Sequence, residues 1–90
     1  MSDISAGLQE HREIIDRVDN SIAELLSMRF ELTDSIGTLK REANISLSDS
    51  ERETAIIERV SELAVGLERE EIAKIYATIF AVSKARMAKS

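Results

Sequence analysis

The chain has 90 residues, 43% of them hydrophobic and 32% charged, with 17 acids against 12 cations and a net charge of −5. One domain fits this length and two do not, and the balance is that of a folded globular chain rather than a disordered one. An acidic chain offers no general basic face for nucleic acid. The absence of cysteine removes disulfides and thiolate zinc sites, and no stretch nears the roughly 20 apolar residues of a membrane helix.

Proline is absent, glycine occurs three times and aromatics make up 3% of residues. Tight turns between strands need more proline and glycine, whereas long helices need neither, so an all-α chain with an aliphatic core is expected. Met1 to Gly7 shows no basic segment followed by an apolar run, so no signal peptide is expected and a cytoplasmic location is the default.

The first predicted element runs from Leu8 to Leu39. One apolar row reads Leu8, Ile15, Ile22, Arg29, Ile36, and a second reads His11, Val18, Leu25, Leu32, Leu39. This period of 3.5 residues predicts one long helix with a packing seam. Gly37 lies inside it, marking either close packing or a weak point. At 1.5 Å per residue the helix would be about 50 Å long, against a radius of gyration of about 12 Å for a compact chain of this size. An exposed seam of that length predicts an intertwined homodimer, with an extended coiled-coil arm as the alternative.

The pattern stops at Glu42 to Asn44. Ser48-Asp49-Ser50-Glu51 reads as a capping box, Ser48 accepting from the backbone and Glu51 reaching back. The second helix is expected to bury Ile56, Ile57, Val60 and Leu63 and to end near Gly66. The third begins at Glu68 to Glu70, whose acids suit a helix N-terminus, and buries Ile72, Ile75, Tyr76, Ile79 and Phe80.

Several charges break the pattern. Arg29 occupies a seam position that helical rules fill with Leu or Ile, and buried arginine is rare unless paired. Lys40 lies about 20° around the helix and about 16 Å along it, with the small Thr33 between, so the two cations could hold a small dianion. On spacing alone Arg29 is equally a structural arginine paired with an acid such as Asp34 or Glu53. Arg12 is about 25 Å along the axis from Arg29 and reaches the same ligand only from a second, antiparallel chain. Asp49, Arg52 and Glu53 share a face at the start of helix two, as Ser83 and Met87 do on helix three; capping and packing account for both groups equally well. His11 is the sole histidine, so a histidine metal site or catalytic triad is not expected, and no glycine-rich phosphate loop occurs.

Four stretches carry a family resemblance: Arg12-Glu13-Ile14-Ile15-Asp16-Arg17-Val18-Asp19, Leu25-Leu26-Ser27-Met28-Arg29, Ile36-Gly37-Thr38-Leu39-Lys40 and Asp49-Ser50-Glu51-Arg52-Glu53. Their order and separations resemble the all-helical chorismate mutases, without gaps from Arg12 to Glu53 and over nearly the whole chain. The resemblance implies a single domain over 1–90, three helices per chain, an intertwined homodimer with two equivalent sites, and no cofactor or metal. It implies that chorismate is rearranged to prephenate in aromatic amino acid biosynthesis. Arg12 would reach a substrate carboxylate across the dimer, and Arg29 would bind one from within the chain. Lys40 would bond the ether oxygen, Glu53 and Asp49 would surround the substrate hydroxyl, Arg52 would stand beside them, and Ser83 would lie near the ring carboxylate.

Where the resemblance implies a glutamine as second donor to the ether oxygen, this chain has Met87, which cannot donate a hydrogen bond. A lost transition-state hydrogen bond costs roughly 1–3 kcal/mol, unless a shifted register brings Lys84 or Arg86 into the site. Alternatives of the same fold are an isochorismate pyruvate-lyase or an aminodeoxychorismate mutase. A weakly active subunit needing a shikimate-pathway partner, and a helical interaction module without a small-molecule site, are the readings of a different class.

Overall fold

The computed structural model describes residues 2–89 and is helical throughout its ordered elements: α1 (Ser2–Glu42), α2 (Ser50–Leu63) and α3 (Arg69–Lys89). The long seam read from the heptad is therefore one uninterrupted helix of 41 residues, Ser2–Glu42, extended by nearly two turns at its start and by less than one at its end. The chain divides into two packing units, Met1–Glu31 and Leu32–Ser90, and α1 contributes residues to both. No helix of the described residues is long and apolar enough to cross a membrane.

In the first unit the apolar residues of α1 face outward. Leu8, Ile15, Val18 and Ile22 are each about half exposed, and Leu25 is 62% exposed. Such a run is held by its own backbone ladder and by local side-chain bonds, among them Ser21 to the Arg17 carbonyl at 3.4 Å and His11 Nδ1 at 2.7 Å from the Gly7 carbonyl.

The second unit holds the core. Ile56 of α2 and Ile72, Phe80 and Met87 of α3 are all below one-tenth exposed, and the buried positions of α3, Ile72, Phe80, Ser83 and Met87, lie on one face of the helix. Tyr76 and Phe80 stack four residues apart, ring centroids 5.7 Å apart and tilted by 57°. Ile57, Val60 and Ile79 are half-buried. Two expected core residues are not in it. Leu63 is 72% exposed because it ends α2, where the chain turns away, and Ile75 is 52% exposed because it lies off the Ile72–Tyr76–Phe80 line.

The helix ends follow local chemistry, with one shift from the sequence reading. α2 is capped by Asp49, not Ser48: Asp49 Oδ1 accepts from the Arg52 backbone N–H at 3.0 Å, while the Ser48 N–H turns to Ser46 Oγ. The charged carboxylate gains from the helix dipole in addition to the hydrogen bond, which favours it over the neighbouring hydroxyl. The reach-back expected of Glu51 is made at α3 instead, where Glu71 Oε1 accepts from the Glu68 N–H at 2.8 Å. Between α2 and α3 the chain reverses at Gly66, whose φ of +87° is left-handed, and Arg69 bridges back to Glu58 at 2.5 Å.

Gly37 is the close-packing point of α1. A Cβ placed there would stand 2.6 Å from Met87 Cγ and 3.1 Å from Met87 Cβ, so the last turns of α1 and of α3 approach closely at this residue. Gly37→Ala gains about 1 kcal/mol of helix propensity and loses about 1–3 kcal/mol to overpacking. Urea unfolding is expected to show net destabilisation in the wild-type background and a smaller loss, or none, when Met87→Ala has removed the Cγ and Sδ contacts and left only the Cβ at 3.1 Å. Stabilisation in both backgrounds would mean that the contact is not tight.

Candidate functional site

The site residues expected from sequence fall on both packing units. Arg12 is exposed and Arg29 half-buried in the first unit; Lys40, Asp49, Arg52, Glu53, Ser83 and Met87 belong to the second. Within the second unit the end of α1, the start of α2 and the last turns of α3 supply all the side chains concerned.

Ser83 and Met87 lie on the face of α3 that meets α1. Ser83 is buried, and Thr33 Oγ1 donates to its hydroxyl at 3.4 Å. Met87 is buried against Gly37, and its carbonyl accepts from Arg41 Nη1 at 2.5 Å. The thioether of Met87 is thus a packing group as well as a group without a donor proton. The register of α3 turns the neighbouring cations elsewhere: Lys84 Nζ stands 2.9 Å from Glu53 Oε2, and Arg86 grips Asp34.

Asp34 and Glu53 are each engaged by a cation of α3. Lys40 is half-buried at the end of α1 and, among the described residues, forms no ion pair. Asp49 accepts its cap bond on one carboxylate oxygen, and Arg52 is exposed beside it. No group of three or more histidines and carboxylates is arranged to hold a metal ion among the described residues.

A cleft of about 430 Å³ opens between α2 and α3, with Ser50, Glu53, Ile57, Phe80 and Lys84 on its walls. The sequence offered Lys84 only through a shifted register and gave no sign of its pairing with Glu53. Its partner Glu53 lies on another helix, and no spacing rule within one helix connects them.

Arg86 binds Asp34 with two bonds, Nε to Oδ1 at 3.1 Å and Nη2 to Oδ2 at 2.6 Å. Those hydrogen bonds hold the Asp34 carboxyl below its ordinary 3.8; the attraction of the Arg86 charge adds to them, and desolvation opposes both. The same bonds raise Arg86. Because the folded value of Asp34 lies below the unfolded one, its contribution is present above pH 3.8 and is lost as the pH falls through the folded value. Asp34→Asn is therefore expected to lower the melting temperature slightly at pH 7, with the gap closing in acid below pH 3.8. A gap that stays constant over a pH series of thermal melts would show that the charge of Asp34 contributes nothing.

Comparison with known proteins adds the following. The sequence model of the family described as chorismate mutase type II matches residues 11–88. A curated relative, the bifunctional chorismate mutase/prephenate dehydratase of Aquifex aeolicus (strain VF5), is 41% identical over 56 residues, covering 62% of this chain. The match spans 16% of that relative's own length. No solved structure matches the chain.

Proposed function

The chain belongs to the chorismate mutase type II family, and from that premise we propose that residues 1–90 act as one domain that rearranges chorismate to prephenate in the route to aromatic amino acids. The family match over 11–88 carries the reading. The half-buried Lys40 without an acid partner among the described residues supports it from the side of the chemistry.

The reaction is pericyclic: one C–O bond breaks as one C–C bond forms, and no proton transfer or nucleophile is needed. The protein has to hold a flexible dianion in a compact conformation and stabilise the charge that grows on the ether oxygen. Arg29 and the Arg12 of a second copy would take the carboxylates. Lys40 would donate to the ether oxygen, a bond that strengthens as the C–O bond breaks and so accelerates the step rather than merely tightening binding. Glu53 and Asp49 would accept from the ring hydroxyl, with Arg52 and Ser83 at the edges and Met87 as an apolar wall. A cytoplasmic location goes with this reading.

The homodimer belongs to the same proposal. Leu8, Ile15, Val18, Ile22 and Leu25 expose an apolar row along α1, and at about 25 cal/mol per Å² its burial is a strong drive for association. A second copy carries the same row, and an antiparallel pairing would bring each Arg12 towards the other chain's Arg29. Sedimentation equilibrium at micromolar concentration is expected to give a dimer, and Leu25→Glu a monomer without activity. A wild-type monomer would overturn the shared site.

The direct assay is the loss of chorismate absorbance, with prephenate identified as the product. Lys40→Ala is expected to lower turnover by about 10²–10³-fold while melting close to wild type. Near-wild-type turnover in that variant would remove Lys40 from the chemistry, and absence of turnover in the folded wild-type protein would overturn the activity itself.

A further inference from the structure

The cleft between α2 and α3 contains an ion pair that the roles above leave unexplained. Lys84 Nζ stands 2.9 Å from Glu53 Oε2, with the two side chains 42% and 27% exposed. Both residues line the cleft. The other groups of that turn of α3 are committed elsewhere: Arg86 to Asp34, Ser83 to Thr33 and Met87 to Gly37. Lys84 is the cation of this helix end that meets a carboxylate expected to touch substrate.

We infer that Lys84 is a positioning residue for ligand binding: it holds the Glu53 carboxylate in place and offsets its charge, so that a dianionic ring compound with a free hydroxyl can be accepted there. The inference rests on the chorismate mutase reading and adds a residue to it.

Three physical points carry the inference. The chain has a net charge of −5, and an uncompensated Glu53 would repel an incoming dianion at short range. A carboxylate is acceptor-only with about four lone-pair sites, so the ammonium on Oε2 leaves Oε1 to accept from a ligand hydroxyl. The charge-assisted bond also fixes the end of a side chain with three rotatable bonds. Since both partners are partly exposed, the pair contributes little to folding, and its loss should register in binding.

The experiment is steady-state kinetics with chorismate on the full chain, comparing wild type, Lys84→Met, Lys84→Arg, Glu53→Gln and the double variant Lys84→Met/Glu53→Gln. Lys84→Met is expected to raise KM about tenfold with kcat reduced less than about threefold. Lys84→Arg, which keeps the charge, should stay within about threefold of wild-type KM. In the Glu53→Gln background, where no charge needs offsetting, Lys84→Met should change KM less than about twofold. Should Lys84→Met fold poorly, Lys84→Gln is read by the same ratios. An unchanged KM in the neutral variants, or an equal rise in both backgrounds, overturns the inference while leaving the mutase reading intact. No turnover in folded wild type overturns both together.

Discussion

The seat of Met87 on Gly37 is the contact from which the rest of the second unit follows. A glycine at the end of α1 lets α3 come within the reach of a missing Cβ, and a buried thioether fills the space. Once Met87 is fixed, helical geometry determines what its neighbours face. Ser83 shares its side, and Lys84 and Arg86 project about 80° to either side of the Ser83–Met87 line. Ser83 accordingly meets Thr33 of α1, Lys84 meets Glu53 of α2 and Arg86 meets Asp34 of α1. A rotation of α3 by one residue would break all three contacts at once, so the packing point also selects the electrostatic pairing.

That pairing bears on the proposal that an acidic chain binds an anion. Two acids of the second unit, Glu53 and Asp34, are covered by cations of α3. Asp49 directs one oxygen into its own helix cap. Lys40 of the same unit is half-buried and has no ion pair among the described residues. The local balance is thus more positive than the net charge of −5 suggests, and binding an anion depends on that local balance at distances shorter than a Debye length.

Much of this was legible in the sequence, for a definable reason. The heptad of α1, the breaks near Asn44 and Gly66 and the acid-rich starts of α2 and α3 are local signals, and local signals predict helices well. Gly37 was readable as a close-packing point, though the residue that fills it was not. The cap moved from Ser48 to Asp49 because two good capping residues stand side by side and the choice between them depends on how the whole loop closes. Leu63 and Ile75 misled because hydrophobicity alone does not say which turn of a helix has a neighbour. The pairs that tie the end of α1 to α3, Thr33 with Ser83 and Asp34 with Arg86, join residues 50 and 52 positions apart, and no periodicity within one helix reports them.

Met87 shows how a packing demand and a chemical one compete for the same position. A glutamine here would bring a donor, as the family resemblance implies, but it would carry an amide into a site less than one-tenth exposed and pressed on Gly37. A buried amide without partners for all its groups costs about 1–3 kcal/mol, comparable to what one transition-state hydrogen bond returns. Methionine avoids that cost and fills the irregular gap with a flexible, polarisable chain. On the proposed reading, the stabilisation it forgoes falls on the cations that remain, above all Lys40, whose ammonium needs no burial of an uncharged amide to act. A site of this kind trades one directional donor for tighter helix packing, which keeps the surrounding charges fixed where a preorganised electrostatic site requires them.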